Sequence, residues 1–459
     1  MTHLDLDLVP ASVKWICSRL TEHGKRGWIV GGCVRDLLLG RPVADWDVAT
    51  DALPNEMQRI FRDKHVIPTG IQHGTVTVMV DRRPHEVTTL RGEGAYTDGR
   101  RPDSVEFTSD ISRDLARRDF TINAIAVDPT DGQVIDPFGG RDDLRRRLLR
   151  AVGDPRARFG EDGLRVLRAA RFTATLEVEL DPETRAAIAP SLETFKKVSA
   201  ERVRDEWLKT MKASKPSRAF DVMRETGILA VSCPELLEGV GVSQNKWHAY
   251  DVWRHGMECL DACAGDPILR VAALLHDVGK PRTRAVGEKT ADYTFYDHER
   301  VGAEMAEPIL QRLRFSNDER ARVVSLVRNH LICYSDEWND ATVRRWMRRV
   351  GVDRIDDLYA LNEADVRGKG RDCEADLAAL AGLKAHVERV KLAGAALAIR
   401  DLAIGGSDLM RELALPPGRI LGEILGALLE DVVSDPALNE RGELLQRARA
   451  FVEGKSAKT

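Results

Sequence analysis

The chain has 459 residues, room for about three domains at roughly 150 residues each. With 43% hydrophobic and 31% charged residues, its composition excludes a disordered chain and a membrane-bound one. The 69 basic and 73 acidic residues leave a net charge of −4, which taken alone argues against a nucleic-acid partner, yet Arg outnumbers Lys by 53 to 16 and supplies the planar fork that suits phosphate.

MTHLDLDLVP at the start is acidic rather than basic, and no apolar stretch approaches the roughly 18 residues of a spanning helix, so a cytoplasmic location is expected. Residues 11 to 24 read as an amphipathic helix. WIVGG at 28 to 32 is an apolar run stopped by two glycines, as at a strand end, and VRDLLLG reads as a helix closed by Gly40. TVTVMV at 75 to 80 and HEVTTL at 85 to 90 have strand character and flank the turn-like DRRP, so the first 150 residues are expected to be mixed α/β. From about 155 onward, apolar residues recur at three- and four-residue spacings and helices are predicted to the C-terminus. LLEGVGVSQNKWH, at about 237 to 248, reads as a linker. The seven cysteines include no Cys-x-x-Cys pair, which argues against a disulfide framework or zinc site, and Cys259 and Cys263 read as core filling.

The first chemical constellation is Gly31-Gly32, then Arg35, then Asp45-Trp46-Asp47. On a strand, residues two apart share a face, so the two aspartates come together, and adjacent carboxylates call for a cation such as Mg²⁺. Glycines let the backbone approach a triphosphate and aim N–H groups at it. A two-metal phosphoryl-transfer site would gain from a third carboxylate on a neighbouring strand, and Glu86 is the best candidate.

GGCVRDLLLGRPVADWDVAT resembles the first motif of the class II CCA-adding tRNA nucleotidyltransferases and their bacterial poly(A) polymerase relatives. The resemblance continues in order through TTLRGEGAYTDGRRPDSVEF, DLARRDFTINAIA, DPFGGRDDL, GEDGLRVLRAARF and AERVRDEW. It implies an α+β architecture: a nucleotidyltransferase head with a mixed sheet, like that of DNA polymerase β, over 1–150, a helical neck over 151–240, an HD-type helical body over 241–375 and a helical tRNA-binding tail over 376–459. It further implies that Asp45 and Asp47 hold catalytic Mg²⁺, that Gly32 and Arg35 contact the incoming nucleotide, and that Arg118 and Asp119 recognise its ribose. Asp162, Arg165, Arg168 and Arg171 recur at three-residue spacing, which places them on one helix face. In the family they are the protein template that selects CTP and then ATP, a role suited to the donors and acceptors of a carboxylate beside a guanidinium. Glu201, Arg202 and Glu206 would support that helix. Residues 91 to 110 read as a mobile loop, and family members that add the terminal A carry a flexible loop there.

The second constellation is His255, His276-Asp277 and Asp365, with His298 and His330 nearby. Imidazole and carboxylate together suit a divalent transition metal, whose bound water can attack a phosphoester. The pattern resembles the HD phosphohydrolases, and His298 and His330 would extend it to a second metal.

RNA evidence is local. Residues 141 to 171 hold ten Arg against five acids, and 196 to 224 nine basic residues against four. ATVRRWMRRV adds a basic helical patch, and the C-terminal IGGSDLMRELALPPGRILGEIL resembles the family's tRNA-gripping tail. The function expected is template-independent addition of CCA to tRNA from CTP and ATP, with an additional HD phosphohydrolase activity. The alternatives are a poly(A) polymerase of the same family, a phosphohydrolase acting on RNA ends or nucleotides, and an inactive tRNA-binding factor.

Overall fold

The apolar runs of the first half pair into a seven-stranded sheet in a computed structural model that describes residues 3–71, 74–92, 106–288, 292–394 and 397–456. The strands are β1 (Gly27–Val30), β2 (Asp47–Thr50), β3 (Val66–Gly70), β4 (Thr75–Val80), β5 (Arg83–Thr89), β6 (Ala126–Val127) and β7 (Val134–Ile135), in spatial order β3-β4-β5-β2-β1-β6-β7. β2 and β5 run parallel and the other neighbours antiparallel, which makes the mixed sheet expected of the head. DRRP is the hairpin turn: Asp81 and Arg82 both take positive φ, 50° and 63°, the conformation whose twist matches the flanking strands.

α1 (Ala11–Glu22) buries Val13, Ile16, Cys17 and Leu20, a stripe at helical spacing. β1 is buried along its whole length, as a run without polar alternation requires, and Trp28 and Val30 share a core with Ile111, Leu115 and Val152. α2 (Gly32–Leu38) follows β1 directly, so the end of a central strand becomes the start of a helix at Gly31. Four further helices carry the first site: α3 (Ile111–Ala116), α4 (Pro155–Glu161), α5 (Leu164–Thr175) and α6 (Ala200–Thr210).

The chain divides into two compact units, Met1–Leu237 and Glu238–Thr459. In the second, α7 (Val252–Ala262), α8 (Pro267–Leu275), α9 (His298–Arg312), α10 (Asn317–Asn329), α11 (Asp340–Val350) and α12 (Ile355–Gly368) precede a tail whose main helix is α13 (Arg419–Ser434). Tail residues Leu409, Ile424, Val433, Leu444 and Ala448 close a core of their own.

Two expectations change here. The segment read as a linker begins where the two units divide, as a linker should, but from Glu238 on it is held in the second unit: Val252 N–H donates to Val242 O at 3.0 Å, and Ala249 N–H to Lys369 O at 2.9 Å. The basic patch of α11 is largely committed to protein. Arg344, 5% exposed, donates to the carbonyls of Val433 and Ser434 at 2.6 and 3.2 Å, which terminates α13. Arg345 donates to Ser434 Oγ at 2.7 Å and Arg348 pairs with Glu430, so of the four arginines only Arg349 has no tail partner among the described contacts. Cys259 and Cys263 are buried, as core filling requires. Among the described residues no helix is long and apolar enough to cross a membrane.

Candidate active site and metal centre

The first site forms where β1 gives way to α2. Gly31 has φ +82°, and a Cβ there would lie 2.6 Å from Arg118 Nη1 and 3.9 Å from Asp47 Oδ2, so glycine is what lets these groups close around the backbone. Asp47 begins β2 and is in register with Glu86 on the parallel β5, which puts both carboxylates on one face of the sheet. Asp45 lies in the exposed segment just before β2. Partial burial pushes the Asp47 carboxyl above its ordinary range, the negative charges of Glu86 and Asp45 push it further, and Arg118 opposes them. A partly buried carboxylate in register with a second one, with a third just upstream, offers the hard oxygen ligands that suit a divalent cation such as Mg²⁺.

Beside them opens a cleft of about 430 Å³ lined by seven arginines and three aspartates. This excess of positive charge, with Gly31 and Gly32 on the floor, suits a polyanion such as a triphosphate. A chain of hydrogen bonds holds the wall. Arg168 donates to Asp119 Oδ2 from Nε at 2.8 Å and Nη2 at 2.6 Å. Asp119 Oδ1 accepts from Asn123 Nδ2 at 3.0 Å and from Phe120 N–H at 2.9 Å. Asn123 Oδ1 accepts from Arg35 Nη1 at 2.7 Å, and Arg35 forks onto Asp36 with two bonds of 2.9 Å. Burial alone would raise the Asp119 carboxyl, but the Arg168 charge and the Asn123 bond hold it well below the usual carboxylate range.

All the nucleotide-site residues expected from sequence except Arg171 line this cleft. Arg171, one turn beyond Arg168, instead donates to Glu206 Oε2 on α6 at 2.6 Å and lies 4.0 Å from the Phe172 ring centroid. Asp162 is not on the helix with the three arginines: it has extended backbone between α4 and α5, and its Oδ1 accepts from Leu164 N–H at 3.0 Å. A side chain that competes for backbone donors favours a helix start over a helix interior, which is why the helical spacing misplaces it. Arg202 Nη2 reaches Asp162 Oδ2 at 2.7 Å, and Arg165 Nη2 reaches Arg117 O at 3.0 Å. The loop read over 91 to 110 falls in part on 93–105, which lie outside the described residues; its ends meet in a bridge between Arg91 and Phe107. Sequence reasoning missed Asn123 and Asp114, although both stand inside the DLARRDFTINAIA run that it quoted. Asp114 Oδ1 accepts from Arg117 and Oδ2 from Arg118 at 3.3 Å.

The second site gathers side chains from three helix ends and from within two further helices. His276 follows α8, His298 opens α9 and His330 follows α10, while His255 and Asp365 stand on α7 and α12. His255 Nε2 lies 3.2 Å from His276 Nε2 and 3.1 Å from both Asp277 Oδ2 and Asp365 Oδ1. His298 Nε2 lies 3.3 Å from His330 Nε2 and from Asp277 Oδ1. The Nδ1 atoms of His276, His298 and His330 each meet the carbonyl three residues earlier, at 2.8, 2.6 and 2.7 Å. A ring whose Nδ1–H donates to a carbonyl turns its Nε2 inward, so His276, His298 and His330 in their neutral form would each offer a lone pair toward Asp277. Such a donor set fits divalent metal ions, and two overlapping ligand groups, His255/His276/Asp277 and Asp277/His298/His330, share the aspartate. The segment after the aspartate is packed tightly: a Cβ on Gly279 would lie 2.3 Å from His298 O.

Burial opposes the cationic form of His276, but Asp277 and Asp365 outweigh it and hold its proton well above the ordinary range. Burial and the neighbouring His276 charge push His330 down to about 3. Asp277 and Asp365 stay ionised well below the usual range, against burial, because of His276 and His255 and, for Asp277, Lys280 Nζ at 2.6 Å. Missed by sequence reasoning were Lys280 and His248, the latter in the segment read as a linker.

Three family models match the chain: the poly A polymerase head domain at 27–150, the probable RNA and SrmB-binding site of polymerase A at 177–239, and the HD domain at 248–361. A CCA-adding enzyme of Ligilactobacillus salivarius is 30% identical over 447 residues, 96% of each chain. One from Lactobacillus johnsonii is 48% identical over 213 residues, 46% of this chain and 53% of that protein. Across the most similar curated relatives, the match spans little more than half of their length. Among solved structures, the CCA-adding enzyme of Bacillus stearothermophilus in complex with CTP aligns over 96% of this chain and 98% of its own, with TM-score 0.72 and 28% identity.

Proposed function

This chain belongs to the family of the CCA-adding enzymes, and from that membership we propose that it adds C, C and A to tRNA 3′ ends, using CTP and ATP and releasing pyrophosphate. The observation that carries the proposal is the Asp47–Glu86 register at the mouth of the arginine-lined cleft, with Asp45 adding to their charge. In this reading the tRNA 3′-oxygen bonds to the α-phosphorus of the nucleotide, the bond from that phosphorus to the pyrophosphate oxygen breaks, and the hydroxyl proton passes to solvent. Mg²⁺ held by Asp45, Asp47 and Glu86 would supply Lewis acidity at the hydroxyl and neutralise the triphosphate.

The protein supplies position and charge. Gly31 and Gly32 bring backbone against the phosphates, Arg35 is held ready by Asn123 and Asp36, and Arg118 faces both Gly31 and Asp47. Arg118 and Asp119 serve the ribose, Asp119 through Asn123 and Arg168, since its own oxygens are already bonded. Asp162, Arg165 and Arg168 form the template that reads the base edge, and Arg171, tied to Glu206, braces them.

The head extends over 1–150, the neck over 151–240, the HD body over 241–375 and the tail over 376–459. His255, His276, Asp277 and Asp365 would hold a divalent transition metal, which would supply a Lewis acid for phosphoester hydrolysis, and His298 and His330 would extend the set to a second ion. The protein works in the cytoplasm.

Transcripts of tRNA ending before CCA, after C and after CC, incubated with labelled CTP or ATP and Mg²⁺, test the proposal. Restoration of CCA followed by arrest supports it, long A tails make the chain a poly(A) polymerase, and no incorporation refutes it. Asp45→Ala with Asp47→Ala should abolish addition and spare hydrolysis, whereas His276→Ala with Asp277→Ala should do the reverse.

A further inference from the structure

His248 lies outside the His, His-Asp, Asp pattern and outside its extension by His298 and His330. It stands on the loop before α7, and both ends of that loop are pinned: Lys246 N–H donates to Asp292 Oδ2 at 3.1 Å, and Ala249 N–H to Lys369 O at 2.9 Å. Asn245 Oδ1 accepts from Trp247 N–H at 3.3 Å, which identifies that atom as the amide oxygen, and it lies 3.0 Å from His248 Nδ1. The ring hydrogen therefore sits on Nδ1 and the lone pair on Nε2, the arrangement that backbone carbonyls impose on His276, His298 and His330. The His248 ring meets that of His255 edge to face, with centroids 4.9 Å apart. A ligand atom of His248 comes within 4.8 Å of ligand atoms of His255 and Asp365.

We infer that His248 is a further metal ligand of the HD centre, joining His255 and Asp365 on the same cation from the solvent side. The inference rests on the reading of this centre as a metal site. It adds an imidazole to the set and so shifts preference toward Zn²⁺, Co²⁺ or Fe²⁺ and away from Mg²⁺. Its side chain is partly exposed whereas the other imidazoles are buried, so His248 is the ligand next to arriving substrate, and Asn245 is its positioning residue.

The full chain is titrated with Co²⁺ in excess Mg²⁺, which occupies the oxygen-rich site of the head; the visible absorption of Co²⁺ reports its coordination number. In His248→Ala, one Co²⁺ should bind more weakly by at least the roughly 10- to 100-fold that loss of a ligand's outer partner costs, and its absorption band should change. Asn245→Ala, which frees the ring to turn, should weaken the same ion in the same direction but less. Unchanged affinity and an unchanged band in His248→Ala, with the metal-free variant melting as the wild type does, overturn the inference. If His248→Ala fails to fold, Asn245→Ala decides: an unaltered band and affinity there overturn it equally. Wild-type chain that takes up no Co²⁺ refutes the metal-site reading itself, whereas uptake unaffected by either variant refutes only the role of His248.

Discussion

Replacing Asp119 by Asn separates positioning from mere stability. The variant keeps the shape of the side chain and one oxygen but removes the charge that faces Arg168 across bonds of 2.6 and 2.8 Å. Arg168 stays charged, so its two bonds weaken only in part, but the amide NH2 that replaces the other oxygen faces the Phe120 N–H and Asn123 Nδ2 donors; with a buried unsatisfied donor at about 1–3 kcal/mol, the change should cost about 2–3 kcal/mol. At roughly 2–4 °C per kcal/mol for a unit of this size, melting of the first unit should drop by about 4–12 °C. If Arg168 reads the base as proposed, its loosening also removes part of a contact worth about 1–3 kcal/mol of discrimination, equivalent to about 5- to 150-fold in selectivity. Single-turnover incorporation of CTP against UTP and of ATP against GTP, measured well below the melting transition, reads this term directly. A variant that melts lower but discriminates as well as the wild type would refute the templating role and leave Asp119 as a structural anchor. One that changes neither would refute the ion pair.

Arg344→Ala should leave the buried carbonyl of Val433 and the carbonyl of Ser434 without their donor, at a cost of about 1–3 kcal/mol, and hydrogen exchange should accelerate at the end of α13 while nucleotide addition persists. Acid should destabilise the first unit by a calculable sign. Burial would raise the carboxyls of Asp119 and Glu206, but Arg168 and Arg171 outweigh it and hold both below their ordinary values. The folded form therefore keeps them ionised where the unfolded chain takes up protons, so their stabilisation is complete above about pH 4.5 and declines as the pH falls below it. Denaturant midpoints measured from pH 6 to pH 3 check this, and a flat profile contradicts it.

Of the head carboxylates, the Asp47–Glu86 pair was legible because two strand-like runs needed only a register to meet, and β2 and β5 pair as required; Asp45 lies before β2 begins, so the two-residue rule of a strand does not place it beside Asp47. The helical reading of Asp162 failed because three-residue spacing continues across a break that a side chain makes by capping. Asn123 was visible as a letter but not as a link, since it joins Asp119, four positions before it, to Arg35, 88 positions away, and that second partner meets it only through the fold. The basic run of α11 looked like an RNA surface because sequence records charge but not the carbonyls at the end of α13 that absorb it. His248 was hidden by composition: glycine and polar residues around it signal a loop, and loops supply ligands as readily as linkers do.

His276, His298 and His330 are each tied by Nδ1 to the backbone carbonyl three residues earlier, and that geometry leaves them little freedom to turn. Rings fixed in this way cannot retreat to admit a large cation. The centre should therefore sort ions by radius as well as by donor type, rejecting Ca²⁺, whose ligands stand at about 2.3–2.6 Å, in favour of ions whose bonds to nitrogen are near 2.0–2.1 Å.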